Sequence, residues 1–236
     1  MSGPPVLLVH GFASSFELNW RDLGWADLLA DADREVIGVD LLGHGEAPKP
    51  HDPAEYLRLE DRVIAALPPD GQVDAVGFSL GAQTLLRAAI AHPDRFHRLV
   101  VAGIGDRIFE TNEGDGGTMG DGGTMADAIE KGDPIEDGGM GALFVQFANH
   151  PGNDRAALAA CIRARRPPID RASLARITCP VLVVLGDRDP AGDAQGLADA
   201  FPDARAKVLR HTEHFGTPKS FDFIDAALEF LDAVPT

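Results

Sequence analysis

The chain has 236 residues, of which 44% are hydrophobic, and it carries a formal net charge of −16 at pH 7. This length and apolar content suit one domain with a sizeable core, and the acidic balance argues against binding to nucleic acid or to an anionic membrane surface. No apolar run approaches the roughly 20 residues that a membrane-spanning helix needs, and no basic leader precedes the first apolar run. We therefore expect a soluble, cytoplasmic protein without membrane insertion.

Six short segments rich in apolar residues predict β-strands. They are expected at residues 6–9, 35–40, 73–78, 98–103, 180–186 and 204–209. Continuously apolar runs such as 6–9 are typical of strands that are buried on both faces of a sheet. Helical patterns separate the strands, and this alternation implies right-handed crossovers and parallel pairing. The sequence thus predicts an α/β fold with a mostly parallel, doubly wound sheet of about six strands.

The helices between these strands are expected at residues 20–30, 57–67, 82–90 and 192–201, with a final helix near the C-terminal end. For the final helix, Thr217 is the expected N-cap and Pro218 the first helical residue. An apolar stripe at helical spacing is expected to pack on the sheet. Its members are Phe221, Ile224, Leu228 and Leu231.

The alternation of strands and helices stops between residues 106 and 170. The hexapeptide Gly-Asp-Gly-Gly-Thr-Met occurs twice in succession, at residues 114–119 and 120–125, and a flexible, exposed loop is expected there. Helical patterns follow at 125–130, 143–148 and 153–165. We interpret 106–170 as a small helical insertion into a core formed by residues 1–105 and 171–236.

The two cysteines, Cys161 and Cys179, have no spacing that indicates a metal or redox site. They could form a disulfide, but two buried thiols in a cytosolic protein is the interpretation that we favour. Neither a metal nor an organic cofactor is implied by the sequence.

Ser79 lies at the tip of a predicted strand–turn–helix, within the sequence Gly-Phe-Ser-Leu-Gly at residues 77–81. In that context Gly-x-Ser-x-Gly indicates a nucleophile elbow, whose glycines allow a tight turn packed closely against its neighbours. On its own, the motif also fits a turn with a capping serine.

A nucleophilic serine needs a base to take its proton and an acid to orient that base. Because ligands bind at the carboxyl ends of parallel strands, both groups should follow later strands. Two candidate acids, Asp187 and Asp189, follow the strand at 180–186, and two candidate bases, His211 and His214, follow the last strand.

Five ordered motifs at strand ends resemble the α/β-hydrolase superfamily, esterase and lipase-like branch, over nearly the whole chain. They are His10-Gly11-Phe12, Asp40-Leu41-Leu42-Gly43-His44-Gly45, Gly77-Phe78-Ser79-Leu80-Gly81, Gly186-Asp187-Arg188-Asp189 and Glu213-His214-Phe215. The resemblance implies a catalytic triad of Ser79, His214 and Asp189, in which Asp189 is preferred to Asp187 and His214 to His211.

The resemblance also implies an oxyanion hole formed by the backbone amides of Phe12 and Leu80, and it suggests Phe78 as a residue of the substrate pocket. His10 and His44 are interpreted as structural residues of their loops. Family members carry a lid where residues 106–170 lie, and the family's first hairpin has no counterpart in this sequence.

The implied activity is hydrolysis of a carboxylic ester or a related small acyl substrate, without a cofactor. A thioesterase, an enol-lactone or C–C bond hydrolase, and a perhydrolase would use the same triad. An alternative of another class is a ligand receptor that retains the triad but turns over slowly. Nothing in the sequence indicates an oligomeric state.

Overall fold

A computed structural model describes residues 3–110, 122–133 and 140–235 of the chain. Its strands form a single six-stranded sheet in which every neighbouring pair is parallel, in the order β2-β1-β3-β4-β5-β6. The strands are β1 Val6–Val9, β2 Val36–Val39, β3 Val73–Phe78, β4 Phe96–Ala102, β5 Val181–Gly186 and β6 Ala204–Leu209. The predicted fold class is confirmed.

Helices cover both faces of the sheet, and alternate residues of each inner strand point to opposite faces. In β1, Leu7 and Val9 pack towards one face, while Val6 and Leu8 pack towards the other. The α-helices are α1 Trp25–Asp31, α2 Glu60–Ala66, α3 Leu80–Ala91, α4 Gly122–Lys131, α5 Met140–Ala148, α6 Arg155–Arg163, α7 Arg171–Leu174, α8 Ala194–Ala198 and α9 Phe221–Phe230. No helix in the described ranges is both long and apolar enough to cross a membrane.

The helix expected over residues 20–30 is wrong in its first half. Gly24 has a φ of 80°, a left-handed conformation that interrupts a right-handed helix. The chain instead forms a π-helical turn at Glu17–Arg21 and then α1. This break lets Trp20 and Trp25 meet edge to face beneath the sheet, with ring centroids 5.1 Å apart.

The expected start of the final helix is also wrong. Thr217 is fully buried and Pro218 lies inside a 3₁₀ turn, His214–Lys219, while α9 begins at Phe221. The indole N–H of Trp25 donates to the carbonyl oxygen of Pro218 at 3.0 Å, which holds this turn against the core. Because α9 begins at Phe221, this side chain lies outside the face of the helix that packs on the sheet, and it is 81% exposed.

Four helices, α4 to α7, lie between β4 and β5 in the part of the chain that is described. Arg163 of α6 pairs with Asp127 and Glu130 of α4, each at 2.6 Å, and Asn153 donates to the carbonyl oxygen of Ala13 at 3.3 Å. These contacts join the helices to one another and to the loop after β1. Of the duplicated hexapeptide, residues 122–125 form the first turn of α4, and the rest lies outside the described residues.

Cys161 and Cys179 are both free and buried, as the sequence suggested. Burial raises the pKa of the Cys179 thiol to about 11, so this side chain remains a protonated, unreactive thiol at neutral pH.

Candidate active site

Ser79 lies at the sharp turn between β3 and α3. Its backbone has φ 52° and ψ −114°, a conformation that a non-glycine residue rarely adopts and that costs about 1–3 kcal/mol. Neighbouring structure maintains it: the Ser79 N–H donates to the carbonyl oxygen of Ala102 at 2.8 Å, and the Ser79 carbonyl accepts from Gln83 N at 3.1 Å. The hydroxyl therefore projects from a rigid turn at the carboxyl end of the sheet.

The two glycines of the motif allow the turn to pack closely on its neighbours. A Cβ at Gly77 would lie 2.7 Å from Leu85 Cδ1, and a Cβ at Gly81 would lie 2.5 Å from the carbonyl oxygen of His10. The second contact is with backbone of the loop after β1, so it cannot be relieved by a side-chain rotation.

Replacing Gly81 with alanine is expected to destabilise the protein by about 3 kcal/mol or more, because α3 and the loop after β1 must separate. Urea unfolding of the two proteins measures this loss. Gly216→Ala is the matched control: its Cβ would meet nothing closer than Thr212 Cγ2 at 3.6 Å, so the expected loss is below about 1 kcal/mol. Equal losses in the two variants would contradict the packing argument.

His214 and Asp189 complete a hydrogen-bonded chain that starts at Ser79. The Ser79 Oγ lies 3.0 Å from His214 Nε2, and His214 Nδ1 lies 2.7 Å from Asp189 Oδ2. Asp189 Oδ1 also accepts from the Ala191 amide at 3.0 Å, which fixes the carboxylate. All three residues are buried. The carboxylate accepts from Nδ1–H and thereby leaves Nε2 free to accept the serine proton.

The alternative acid and base lie elsewhere. Asp187 is exposed and accepts from the Thr212 amide at 3.2 Å, and hydrogen bonds from the His211 and Thr212 backbone lower the pKa of its carboxyl. His211 is exposed, with its Nδ1 3.2 Å from Arg188 Nη2. These residues tie the turn after β5 to the turn after β6, which carries His214.

The amides predicted to form the oxyanion hole belong to Leu80, which follows Ser79 in the chain, and to Phe12, a residue that lines the same cavity as Ser79. Neither N–H has an acceptor among the residues that the structure describes. Leu80 is the first residue of the 12-residue helix α3, so its amide points from the positive end of the helix dipole. The Gly11 amide, next to Phe12, donates to Asn19 Oδ1 at 3.1 Å and orients this loop.

His10 and His44 are fully buried in the loops after β1 and β2. His10 donates from Nδ1 to the Gly11 carbonyl at 2.7 Å and accepts from the Leu41 amide at Nε2, while His44 donates from Nδ1 to the Leu42 carbonyl at 2.9 Å. Burial lowers the pKa of His10 and lowers that of His44 to about 3. Both imidazoles are therefore neutral structural groups at neutral pH.

This burial predicts a loss of stability in acid. Between pH 6.5 and about 3, His44 would be protonated in the unfolded chain but not in the folded protein, so the free energy of unfolding falls by up to about 1.4 kcal/mol per pH unit as pH decreases. His44→Gln should have a shallower slope over pH 4.5–6 and a parallel one above pH 7. Urea titrations across this range measure both slopes, and parallel profiles throughout would contradict the assignment.

A cavity of about 260 Å³ opens above Ser79 and His214. Its walls are mainly aromatic and aliphatic, and Phe78, predicted to line the pocket, lies against the imidazole with ring centroids 5.0 Å apart. Phe144 of α5 contacts Phe12 at 5.7 Å and His214 at 6.3 Å between ring centroids. In the described part of the chain, no group of three or more His, Cys, Asp or Glu residues could hold a metal ion.

Sequence reasoning missed several residues of this cavity. Phe144 and Phe147 lie three apart on a predicted helix, a spacing that indicates a shared face but not the element that it contacts. Asn19 also lines the cavity, and no local pattern singles it out. All three reach the site through tertiary contacts.

Comparisons of the sequence and of the structure with known proteins both find hydrolases of one fold family. A family model described as alpha/beta hydrolase fold matches residues 4–117. The chain is 35% identical over 118 residues to a 2-hydroxy-6-oxo-6-(2'-aminophenyl)hexa-2,4-dienoic acid hydrolase of Metapseudomonas resinovorans, covering 47% of this chain and 39% of that protein. It is 33% identical over 103 residues to the mouse sn-1-specific diacylglycerol lipase ABHD11, covering 43% and 33%. The matched segment spans about two fifths or less of the length of these curated relatives.

Solved structures match over nearly the whole chain. A serine hydrolase involved in carbazole degradation, the CarC enzyme, is 26% identical with a TM-score of 0.69, covering 98% of this chain and 92% of that one. A thermophilic esterase from Thermogutta terrifontis has a TM-score of 0.74 at 22% identity, covering 100% and 92%, a likeness that concerns the fold alone.

Proposed function

Because the chain belongs to the α/β-hydrolase fold superfamily, we propose that it is a serine hydrolase that cleaves a carboxylic ester or a related acyl substrate. The observation that carries the proposal is the buried chain of hydrogen bonds from Ser79 through His214 to Asp189 at the base of an apolar cavity. A nucleophile, a base and an orienting acid in this arrangement are what acyl transfer through a serine requires.

In the proposed mechanism, Ser79 Oγ attacks the ester carbonyl carbon while His214 Nε2 takes the hydroxyl proton. The amides of Phe12 and Leu80 donate to the oxyanion of the tetrahedral intermediate. His214 then passes its proton to the leaving alcohol oxygen, and an acyl-enzyme ester forms at Ser79. His214 then takes a proton from a water molecule, whose oxygen attacks the acyl carbon. The bond between the acyl carbon and Ser79 Oγ breaks, the carboxylic acid leaves, and His214 returns the proton to Ser79 Oγ. Asp189 stabilises the imidazolium throughout.

We assign residues 106–170 the role of a helical lid over this site, and residues 1–105 with 171–236 that of the catalytic core. The contacts of Phe144 with Phe12 and His214 support this role, because one side chain of α5 packs against both the proposed oxyanion donor and the base. Covering the site with apolar side chains strengthens its hydrogen bonds by keeping water away.

A panel of p-nitrophenyl esters tests the proposed activity. We expect kcat/KM to rise by about fourfold for each added methylene while the acyl chain fills the apolar cavity, since burying a methylene contributes about 0.8 kcal/mol. The rate should fall once the chain exceeds the cavity. Absence of turnover for every ester, from acetate to octanoate, would contradict an esterase and favour the slow-turnover receptor.

C–C bond hydrolysis is a second candidate, favoured by the names of the matching relatives and by one cation at the cavity. The relative from Metapseudomonas resinovorans is named as a hydrolase of a 2-hydroxy-6-oxo-dienoic acid, and Lys219 lines the cavity, where it could pair with such a carboxylate. Following the visible absorbance of 2-hydroxy-6-oxo-6-phenylhexa-2,4-dienoate tests it. Faster turnover of this acid than of any ester would identify C–C cleavage as the main reaction.

A thioesterase and a perhydrolase would use the same three side chains as the esterase. Hydrolysis of acyl thioesters tests the first activity, and peracid formation from acetate and hydrogen peroxide tests the second.

We further propose that the protein acts in the cytoplasm on small molecules. Its two buried free thiols support a reducing compartment.

A further inference from the structure

The loop after β1 is held by a hydrogen bond on each side of Phe12, the residue proposed as an oxyanion donor. On one side the Gly11 amide donates to Asn19 Oδ1 at 3.1 Å. On the other side the Ala13 carbonyl oxygen accepts from Asn153 Nδ2 at 3.3 Å. The backbone between these two bonds is that of Phe12, so both of them restrict the position and direction of its N–H.

The backbone of Ala13 is one that depends on neighbouring structure. Its φ is 55°, in the left-handed region that a non-glycine residue seldom adopts. Alanine has no polar side chain that could stabilise this conformation locally, so contacts from other elements must maintain it. Because Ala13 follows Phe12 directly, relaxation of the Ala13 backbone would displace the Phe12 amide.

Asn153 lies on a firm support, directly before α6. The next residue, Asp154, caps this helix by accepting from the Ala157 amide at 3.0 Å, and its other carboxylate oxygen lies 3.0 Å from His51 Nε2 in the loop after β2. Residues 157–162 of α6 are all buried. The side chain of Asn153 therefore extends from a part of the molecule that is fixed to the core.

The nitrogen of the same side chain also binds the end of α5. Asn153 Nδ2 donates to the Phe147 carbonyl oxygen at 3.0 Å, and an NH₂ group has two hydrogens, so it can serve two acceptors at once. One turn earlier on α5, Phe144 packs against Phe12 and His214. One amide thus connects the helix that packs over the base with the loop that carries the proposed oxyanion donor.

We propose that Asn153 is a positioning residue, which holds Ala13, and through Ala13 the Phe12 amide, in the place where that amide donates to the oxyanion. Asn153 is not among the described residues that line the cavity, so it acts through the loop and not on the substrate. The inference rests on the proposed acyl hydrolysis. An oxyanion donor stabilises the transition state more than the bound ester, so a displaced Phe12 amide should affect kcat more than KM.

Asn153→Asp is the sharpest test, because a carboxylate has the shape of the amide but no N–H to donate. Negative charge beside the N-terminus of α6 is favourable, so this helix should remain folded. We expect kcat for the best p-nitrophenyl ester to fall by on the order of tenfold, with KM within about twofold of the wild-type value. Asn153→Ala, which removes both donated bonds without adding a charge, should show the same pattern, and urea midpoints check the folding of each variant.

A second measurement separates the oxyanion from substrate binding. An alkyl trifluoromethyl ketone forms a bond from its carbonyl carbon to Ser79 Oγ, and its carbonyl oxygen becomes an oxyanion like that of the reaction. The inhibition constant of this ketone should rise by about the same factor as kcat falls, on the order of tenfold. Inhibition by the alcohol of the same chain length, which forms no oxyanion, should change by less than about twofold.

Asn149→Asp is the matched control, because it makes the same chemical change in the same turn between α5 and α6. The Asn149 side chain donates to the Gly132 carbonyl and accepts from Arg155 Nη1, each at 3.4 Å, and these contacts join lid helices to one another. No hydrogen bond of the described residues connects it with the loop after β1. Its kcat and its inhibition by the ketone should stay within about twofold of the wild-type values.

A role in holding α5 alone gives a different result. In that case Asn153→Asp raises KM and weakens inhibition by the ketone and by the alcohol equally, while kcat is retained. This result, or equal losses of kcat in Asn149→Asp and Asn153→Asp, would overturn the proposal and leave Ser79-dependent hydrolysis, and with it the proposed function, standing. Absence of any Ser79-dependent hydrolysis by the wild type would overturn both.

Discussion

Replacing Ser79 with alanine is expected to lower kcat/KM for the best p-nitrophenyl ester by on the order of 10⁵-fold. The substitution removes the nucleophile and retains the cavity and the amides of Phe12 and Leu80, which leave a small residual acceleration. The hydroxyl contacts only His214 among the hydrogen bonds of the described residues, so the folded structure should not depend on it. Initial rates with enzyme at micromolar concentration measure the residual activity.

The urea midpoint of Ser79→Ala, measured beside that of the wild type, is the control for folding. Alanine meets the same left-handed backbone as serine at φ 52°, so the two midpoints should agree closely. A variant that is folded and retains more than about one hundredth of the wild-type kcat/KM would contradict the nucleophile assignment.

Replacing Asp189 with asparagine is expected to lower kcat by about 10³–10⁴-fold. An asparagine NH₂ facing His214 Nδ1 would favour the tautomer in which Nε2 carries the proton, and this tautomer cannot accept the proton of Ser79. The 2.7 Å contact between His214 Nδ1 and Asp189 Oδ2 is the basis of this prediction. Steady-state kinetics across pH 6–9 measure the loss.

Asp187→Asn is the matched control, because it makes the same chemical change two residues away. Asp187 is exposed and accepts from the Thr212 backbone, so its replacement should change kcat by less than about threefold. Comparable losses in the two variants, or a larger loss at Asp187, would show that the orienting acid is misassigned.

The sheet could be predicted from the sequence because its strands are short apolar runs. β1, β3 and β5 are buried along their whole length, and such runs are recognisable without knowledge of tertiary contacts. Helix ends were less predictable. Gly24 breaks the first helix, and the turn before α9 is held by a hydrogen bond from Trp25, a residue 193 positions away in the sequence. Local propensity contains no information on such a contact.

Some residues of the candidate site could be predicted from the sequence and others could not. Ser79 and the two pairs of candidate acids and bases follow strands, so chain order alone placed them at one edge of the sheet. Resemblance to a family selected Asp189 and His214, which are the members of those pairs that the structure brings to Ser79. Asn19 and Phe144 enter the cavity through packing between elements distant in sequence, which is why no motif predicted them.

Labelling with a fluorophosphonate tests the central proposal most directly, because the reagent reacts with a serine hydroxyl that has been activated by a neighbouring base. The proposal predicts one adduct per chain in the intact mass of the wild type, located by peptide mapping on Ser79, and no adduct on folded Ser79→Ala under the same conditions. Equal labelling of the two proteins, or an adduct located on another serine, would contradict it.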